Sequence, residues 1–417
     1  MQIQARWHGV TGQRLPAHGD GLVRWLIDFH SQFMLPTTLG RALVGITGVV
    51  MLVLVLSGLV THRKLVSEMF TWRLDRSIRL KWQDSHKAIG LWAAPFHVVI
   101  AFTGAWLGLL IVLAGVATML IFGGDDAAIG QAIGGTQPVL TGEATTMVSI
   151  DQAIRTVRAE TGLAPEIMNV AGWGDSGALY RFLVTGSDAL VWHTQVDVSA
   201  ASGEVLRVYQ TNRGGLTRRL LPAFVTLHYG IFGGMAMKVL YGILGLIAAG
   251  MTVTGMMMWL ERRLHGGTGT AHPAVYTALA RLTIGGTVGM VVATAAIFHA
   301  ERIYSGPPAD RLSFVGWVFF AVWIAGVVYA FVRRSDYRSC RELLSAGALT
   351  AILIPLHDML DTVSGQAPVP VPGAVLAVDL VAVGCGAVLL YMAACIPATR
   401  PESRRSRAAA VHAPQQH

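Results

Sequence analysis

Long runs of apolar residues dominate the pattern of the chain. About 20 consecutive apolar residues are enough to cross the hydrocarbon core of a bilayer as an α-helix. The second run is also long enough to tilt in the membrane or to project beyond it. Together the runs predict seven membrane spans, at 40–61, 88–121, 235–260, 274–298, 313–332, 341–360 and 373–396.

The segment between the second and third runs has a different pattern. Residues 147–162 have apolar positions at helical spacing and predict one amphipathic helix. Short β-rich stretches follow, namely PEIMNVAGW, ALYRFLVTG and LVWHTQVDV, and VDVSAASGEVL closes the segment as a strand, a turn and a strand. We therefore predict a mainly α, polytopic membrane helical bundle of about seven spans with one small α+β domain.

Basic residues between the spans predict the orientation. Lys and Arg concentrate at 62–87, 261–265, 333–341 and 399–407, which all fall on one side of a seven-span topology. The positive-inside rule places that side, with the carboxy terminus, in the cytoplasm. The outer side then receives the amino terminus, the α+β domain and the loops 301–312 and 361–373.

Composition supports a membrane protein and excludes several other classes. Hydrophobic residues make up 53% of the chain and charged residues only 13%. The net charge of +8 comes mostly from residues beside the spans and not from one basic patch, so we expect no nucleic-acid partner. Three cysteines without a CxxCH motif exclude covalently attached c-type haem and four-cysteine metal sites, which leaves imidazole as the plausible metal ligand.

Two histidines on the second apolar run are the most informative chemical feature. His86 and His97 are eleven residues apart. On one continuous α-helix their directions would differ by about 20° and their heights by roughly 16 Å. That placement suits a helix that gives one axial ligand to each of two stacked haems, and ionisable residues within a span are functional candidates by default.

The chain also contains an internal repeat. TGQRL (11–15) and SGEVL (202–206) each lead into a short segment with a histidine and then a glycine-rich span. His30 and His228 correspond to each other within one residue. Small residues allow another helix, or the face of a porphyrin, to approach the backbone. The glycines that recur at a constant offset are Gly45 and Gly242, Gly48 and Gly245, and Gly58 and Gly255.

These motifs together resemble the PepSY-associated transmembrane family, which includes inner-membrane ferric-siderophore reductases. The resemblance covers roughly 1–265 and is carried by DSHKAIGLWAAPFHVVIAFTGAWLG, VDVSAASGEVL and LHYGIFGGMAMKVLYGILGL with GMMMWLERR. It implies an inner-membrane di-haem oxidoreductase that passes electrons across the bilayer to a ferric siderophore or similar periplasmic chelate. The implied ligands of the two bis-His b-type haems, by position, are His30, His86, His97 and His228.

This sequence departs from the family pattern in two respects. It lacks the first span with its own histidine motif, and it adds four spans at 274–396. An outer amino terminus without a signal-peptide pattern also leads us to expect an upstream span. The expected division is an outer remnant and interfacial segment at 1–36, two spans at 37–121, a periplasmic PepSY-like domain at 122–220, a third span at 221–265, four additional spans at 266–398 and a cytoplasmic tail at 399–417.

Each implied ligand also has a less specific role available. His97 has no carboxylate in its span, so it either binds haem or is buried with a backbone hydrogen bond. His86 lies near the cytoplasmic surface, where an interfacial histidine is ordinary. His30 and His228 would otherwise anchor their segments at the interface.

Three other histidines are less favoured candidates. His62 could replace a ligand from the missing span, although a histidine in HRK more often anchors a helix in the headgroups. His299 and His357 lie near the outer ends of the added spans. Either could complete an outer haem, whereas capping a helix or facing the aqueous boundary is the ordinary role.

The two ends of the electron path would involve partners. Aromatic and basic residues of the outer segment could contact an anionic or aromatic chelate. Alternatively, the aromatic residues form the core of the sheet and the arginines are ordinary charged residues that flank it. These residues are Trp173, Tyr180, Arg181, Trp192, Tyr209, Arg213, Arg218 and Arg219. No dinucleotide fingerprint is present, so the donor would be membrane quinol, free reduced flavin or another protein. A transport accessory or permease without haem, and a membrane-anchored regulatory scaffold, are the alternative functions.

Overall fold

The computed structural model shows a mainly helical polytopic membrane protein with a small α+β domain. It describes residues 6–7, 14–15, 21–61, 64, 67, 69–70, 78–125, 138–185, 193–210, 216–265, 273–333, 335–364 and 373–397. Within them, seven helical segments are long and apolar enough to cross a membrane, which confirms the predicted fold class. These segments are Thr37–Thr61, Ala94–Leu120, Gly234–Leu264, Pro273–Ile303, Pro308–Val332, Asp336–Val363 and Val375–Cys395.

The regular elements follow the predicted order. The helices are α1 Gly21–Gln32, α2 Thr37–Thr61, α3 Ile78–Trp92, α4 Ala94–Leu120, α5 Ile150–Thr161, α6 Leu216–Tyr229, α7 Gly234–His265, α8 Pro273–Ile303, α9 Arg311–Val332, α10 Asp336–Ile352, α11 Ile354–Val363 and α12 Gly373–Cys395. The strands are β1 Arg6–Trp7, β2 Arg14–Leu15, β3 Pro165–Ala171, β4 Leu179–Thr185, β5 His193–Ser199 and β6 Val205–Gln210.

The second apolar run is two helices and not one. α3 ends at Trp92, and α4 begins at Ala94 with Pro95 in its first turn. Proline has no backbone N–H and disfavours helical geometry in the residue before it, so a helix rarely continues into it. The interpretation of 88–121 as one continuous helix is therefore wrong, and the 20° and 16 Å estimates for His86 and His97 do not apply.

The chain forms two compact units. One consists of Met1–His30, Val66–Ile89 and Ala249–His417, and the other of Ser31–Leu65 and Gly90–Ala248. The first contains α1 and α8 to α12, and the second contains α2, α4, α6 and the α+β domain.

The α+β domain packs one helix on an antiparallel meander. The strand order is β3-β4-β5-β6, and all three pairings are antiparallel. Phe182 on β4, its partner Val196 on β5 and Val157 on α5 are all fully buried. The Ser149 side chain accepts the Gln152 backbone N–H at the start of α5. This amphipathic helix and its four strands were predictable because period 3.6 changes to period 2 along the sequence.

In the second unit, small residues allow α2 and α4 to pack closely. A Cβ added to Gly108 would lie 2.6 Å from Gly45 Cα, and one added to Gly48 would lie 2.8 Å from Ala105 N. Only residues without larger side chains permit such an approach between helices. The repeat left open whether a helix or a porphyrin faces these glycines. At Gly45 and Gly48 the neighbour is a helix.

The repeated glycines of α7 have other surroundings. A Cβ on Gly242 or Gly245 would meet no described atom within 4 Å, whereas one on Gly255 would lie 3.2 Å from His86 Cε1. The two halves of the repeat therefore share a sequence pattern without sharing the contacts.

In the first unit, α1 and α8 both pack against α9. Trp25 on α1 is fully buried, with its ring centroid 4.3 Å from that of Phe319. A Cβ on Gly326 would lie 2.8 Å from Gly289 Cα, so α8 and α9 meet through small residues. The Trp323 indole N–H donates to the Gly286 carbonyl oxygen at 2.8 Å across the same contact.

We expect Gly108→Ala to separate α2 from α4 and to lower the free energy of unfolding by about 1–3 kcal/mol, because the added methyl group overpacks the contact. The midpoint of thermal unfolding in detergent measures the effect. Gly115→Ala on the same helix is the matched control, since a Cβ there meets no described atom within 4 Å. Equal midpoints for the two variants would contradict the packing described here.

Asp175 holds the segment that leads into the α+β domain. Its carboxylate accepts the backbone N–H groups of Thr141 at 2.9 Å, Gly177 at 2.7 Å and Gly142 at 2.7 Å. These backbone hydrogen bonds, that of Thr141 first, hold the pKa of Asp175 below its ordinary 3.8. The pKa is lowered in the folded state, so the ionised carboxylate stabilises the fold fully above pH 3.8. This stabilisation is lost as the pH falls through the lower pKa of the folded state.

We therefore expect the amide protection factors of Thr141 and Gly142 to fall as the pH decreases below 3.8, and Asp175→Ala to remove this protection at neutral pH. Hydrogen exchange, corrected for the intrinsic pH dependence, measures both effects. Glu160→Gln on the exposed face of α5 is the control and should leave the protection unchanged. Protection that survives in Asp175→Ala would show that other contacts hold the segment.

Candidate functional site

His86 contacts a threonine and a glycine on another helix of its unit. Its Nδ1 lies 3.0 Å from Thr254 Oγ1, and a Cβ on Gly255 would lie 3.2 Å from its Cε1. His86 is half-buried on α3, while Thr254 is buried on α7. The missing side chain at Gly255 therefore leaves room for the imidazole against the backbone of α7.

The Thr254 hydroxyl has two hydrogen-bond partners but only one hydrogen. Its Oγ1 lies 3.0 Å from the Met251 carbonyl oxygen, which can only accept. When the hydroxyl hydrogen is bonded to that carbonyl, Oγ1 accepts from His86. The proton of the neutral ring is then on Nδ1 and the lone pair on Nε2.

His228 has the same arrangement in the other unit. Its Nδ1 lies 3.1 Å from Thr103 Oγ1, which donates to the Val99 carbonyl oxygen at 2.7 Å. A Cβ on Gly104 would lie 3.0 Å from His228 Cε1. When the Thr103 hydroxyl hydrogen is bonded to the Val99 carbonyl, Nδ1 is again the donor and the lone pair is on Nε2.

The local chain geometry fixes the position of His228. α6 ends one residue later at Tyr229, and Gly230 follows with a φ of +62°. A side chain at Gly230 would collide with the ring of Tyr241, whose hydroxyl donates to the Leu227 carbonyl oxygen at 2.8 Å. Glycine is favoured here on both counts, because it adopts positive φ without strain and leaves room for the ring.

Sequence analysis missed the threonines that orient these two rings. Thr103 and His228 are 125 residues apart, and Thr254 and His86 are 168 residues apart, so no local pattern connects them. A usable signal was nevertheless present. Both threonines directly precede a glycine within an apolar helix, a dipeptide that can be read from the sequence.

His97 has a different environment. It lies in the first turn of α4 and is 2% exposed, and its Nε2 is buried without a hydrogen-bond partner among the described residues. An unsatisfied polar nitrogen inside an apolar helix bundle is costly, so such an atom commonly marks a missing ligand. This orphaned nitrogen fits the axial-ligand role implied for His97.

His30, the remaining implied ligand, and the less favoured candidate His62 have weaker structural support. His30 lies in the last turn of α1 with an exposed side chain. His62 lies outside the described residues. Of the implied ligands, only His97 is both deeply buried and, within the described part of the chain, unpartnered at Nε2.

The aromatic and basic candidates of the α+β domain have separate roles. Trp173 is 71% exposed and borders an open depression of about 380 Å³ that Met147 and Ser149 also line. Tyr180 is core, since it is 1% exposed and its hydroxyl donates to the Val148 carbonyl oxygen.

The basic candidates are mainly structural or undescribed. Arg181 forms a two-point ion pair with buried Asp197 on the neighbouring strand, at 2.8 and 3.1 Å. Tyr209, an aromatic candidate, lies under Arg207, whose guanidinium carbon is 5.4 Å from the ring centroid. Arg219 is exposed, whereas Trp192, Arg213 and the side chain of Arg218 lie outside the described residues.

Comparison with known proteins identifies relatives of this chain. An uncharacterized protein of Pseudomonas aeruginosa, PA4219, is 26% identical over 372 residues, which cover 84% of this chain and 89% of that protein. A family model described as the PepSY-associated TM region matches residues 3–262, which include both Thr-Gly pairs and all of the histidines implied as ligands. The chain therefore belongs to the PepSY-associated transmembrane family.

Proposed function

We propose that this protein is a haem-containing inner-membrane reductase that passes electrons across the bilayer to a periplasmic ferric chelate of the siderophore type. The observation that carries the proposal is the buried Nε2 of His97 in a candidate membrane span, which has no hydrogen-bond partner in the described part of the chain. Imidazole nitrogen is an ordinary axial ligand of haem iron, and bound haem supplies the one-electron chemistry that the side chains of this sequence lack.

His86 and His228 support the same proposal through their hydrogen bonds. A histidine that binds a metal through one ring nitrogen usually donates its other N–H to an acceptor, which fixes the tautomer and the ring orientation. Thr254 and Thr103 provide that acceptor. His86, His97 and His228 would thus each hold an axial position, and His30 is proposed as the fourth ligand on the internal repeat alone.

Paired imidazole ligands would suit electron transfer. They leave no open coordination position for oxygen or substrate, so binding of two b-type haems would favour electron relay over oxygen activation. The side chains then tune the relay, since burial of His97 and the threonine hydrogen bonds of the other two rings set how strongly each nitrogen donates.

The charge distribution supports an inner-membrane location with a cytoplasmic carboxy terminus. The basic segments at 62–87, 261–265, 333–341 and 399–407 alternate with the outer loops of a seven-span topology, so that all four fall on one side. The α+β domain then lies on the opposite, periplasmic side. Electrons would enter near His86 and leave on the side that carries the α+β domain.

The partners follow from this path. Exposed Trp173 beside the open depression offers an aromatic surface to a ferric chelate, and lipid surrounds the apolar helices. The electron donor would be membrane quinol, reduced flavin or another protein.

We expect the purified protein from haem-replete cells to show a Soret band and α bands that sharpen on reduction with dithionite. Pyridine hemochrome analysis should give two haems per chain. His97→Ala should lose at least one of them, because the substitution removes the imidazole nitrogen that would bind the iron. His193→Ala, at the start of β5, is the control and should keep both.

A colourless wild-type protein from the same cells would contradict the reductase and favour the transport or scaffold alternatives. An unchanged haem content in His97→Ala would contradict the ligand assignment while leaving haem binding intact.

We expect Thr254→Val and Thr103→Val to weaken the haem sites of His86 and His228. Loss of a hydrogen-bond partner for a ligating histidine typically costs about 10–100-fold in affinity or activity. The less basic imidazole should also raise the reduction potential of the affected haem, which redox titration of the absorption spectrum measures.

Thr118→Val is the matched control for these threonine substitutions. Thr118 is buried on α4, and its hydroxyl donates to the Ala114 carbonyl oxygen of its own helix, as Thr103 does to Val99. The haem reduction potentials of the Thr118→Val variant should equal those of the wild type. Equal shifts in Thr118→Val and Thr103→Val would show that the helix, and not the histidine contact, is responsible.

A further inference from the structure

The histidines of the added spans contact each other. His299 Nδ1 lies 2.9 Å from His357 Nε2, and His299 Nε2 lies 2.8 Å from the Thr350 carbonyl oxygen. These three ring nitrogens therefore have partners within the protein. The polar group that bears on the proposed electron path lies elsewhere, on α7.

Tyr241 contacts the segments that carry two of the proposed haem ligands. It lies near the start of α7, inside a candidate membrane span, and its side chain is half-buried. His97 on α4 and His228 on α6 belong to the same compact unit as Tyr241. A phenol combines a large apolar ring with one hydroxyl, so it can pack against one element and hydrogen-bond another.

The hydroxyl of Tyr241 holds the end of α6. It donates to the Leu227 carbonyl oxygen at 2.8 Å, and the direction of this bond is fixed because a carbonyl can only accept. Leu227 lies in the last turn of α6, where carbonyl groups have no partner within the helix. Tyr241 therefore caps α6 at the residue directly before His228.

The ring of Tyr241 lies inside the turn that joins α6 to α7. A Cβ added to Gly230 would lie 2.8 Å from Tyr241 Cδ1, and the ring centroid of Phe232 is 6.0 Å from that of Tyr241. The chain thus passes around the phenol ring shortly after His228. Together with the hydroxyl, the ring holds the backbone on both sides of that histidine.

The same ring reaches α4 through Phe96. The ring centroids of Tyr241 and Phe96 are 5.2 Å apart at an interplanar angle of 89°, an edge-to-face arrangement that aromatic pairs favour. Phe96 directly precedes His97, and its ring centroid lies 6.1 Å from that of the imidazole. One side chain thus contacts the sequence neighbours of two proposed ligands that come from different helices.

The contacts of Tyr241 differ in kind from those of Thr103. Thr103 Oγ1 lies 3.1 Å from His228 Nδ1 and so bears on the orientation of the imidazole ring. Tyr241 acts on the backbone beside His228, through Leu227 and Gly230. A metal site needs both constraints, because its ligands must lie within about 0.5 Å and 10–20° of the productive geometry.

We propose that Tyr241 is a positioning residue for the haem sites of His97 and His228. This role depends on the proposed reductase function, since it concerns two of the haem ligands assigned there. The hydroxyl acts on His228 through the capped end of α6, and the ring acts on both histidines, through the turn and through Phe96. Two substitutions separate these contributions, because Tyr241→Phe removes the hydroxyl alone and Tyr241→Leu removes the aromatic ring as well.

The test is carbon monoxide binding to the dithionite-reduced full chain in detergent. Carbon monoxide needs an open coordination position, which a haem with two imidazole ligands lacks. We expect no binding in the wild type. Tyr241→Phe should produce a carbon monoxide difference spectrum, because the released end of α6 weakens the bond between His228 and iron. Tyr241→Leu should give a larger amplitude, because the contact toward His97 is lost too.

Tyr304→Phe is the matched control. The Tyr304 hydroxyl also donates to a backbone carbonyl, that of Pro307 at 2.8 Å, but it lies in the other compact unit. This variant should bind no carbon monoxide, and the g values of its oxidised haems in electron paramagnetic resonance should equal those of the wild type. In Tyr241→Phe the g values should shift, because they report the orientation of the axial imidazoles.

Hydrogen exchange gives a readout that does not depend on haem. The Gly230 backbone N–H donates to the Thr226 carbonyl oxygen at 3.0 Å, in the turn around Tyr241. We expect this amide to exchange faster in Tyr241→Phe and at the wild-type rate in Tyr304→Phe. Faster exchange with unchanged carbon monoxide binding and g values would show that Tyr241 only stabilises the fold, and would overturn the proposal.

The outcomes distinguish this role of Tyr241 from the reductase function itself. A wild-type protein without haem contradicts the reductase, and the positioning role with it. Haem in the wild type, with identical spectra in Tyr241→Phe and Tyr304→Phe, contradicts the positioning role alone. Loss of haem from Tyr241→Phe but not from Tyr304→Phe supports it. If Tyr241→Leu does not fold, the comparison of Tyr241→Phe with Tyr304→Phe decides, because the phenylalanine ring keeps the packing of the turn.

Discussion

The account of this protein depends on how an imidazole is accommodated in a membrane bundle. An unsatisfied polar atom is costly in the hydrocarbon core, so the nitrogens of a buried imidazole need partners. Thr103 and Thr254 each lie within hydrogen-bond distance of one imidazole nitrogen and of a carbonyl oxygen of their own helix. While the hydroxyl hydrogen is bonded to that carbonyl, the hydroxyl oxygen can only accept from the imidazole, which selects one tautomer.

Glycine makes this contact sterically possible. In both cases the residue after the threonine is a glycine, and a single added carbon would come within 3.0 or 3.2 Å of the imidazole. Similar Thr-Gly pairs need not act in this way. Thr47 precedes Gly48 on α2, yet Gly48 packs against the backbone of α4 at Ala105. The dipeptide thus allows close approach, and the neighbouring helix decides whether the approaching group is an imidazole or a backbone.

Several features were predictable because their causes are local. The seven spans follow from the length of the apolar runs, and the α+β domain follows from a change of periodicity with suitable turn residues. Other features depend on distant parts of the chain. The threonine partner of each of these two histidines lies more than 100 residues away, and the ion pairs of Arg302 with Asp358 and Asp361 join α8 to α11. The break before Pro95 lies between these two kinds of feature. The proline can be read from the sequence, but the sequence pattern still predicts one continuous helix where the structure has two.

The most direct test of the central claim is an experimental structure of the purified protein in lipid, determined by cryo-electron microscopy at a resolution that shows planar cofactors. The account predicts density for a macrocycle whose iron is bound by His97 Nε2, with the Nδ1 atoms of His86 and His228 still bonded to their threonines. A protein or lipid group in hydrogen-bond contact with His97 Nε2, and no macrocycle density at any of the three imidazoles, would contradict it.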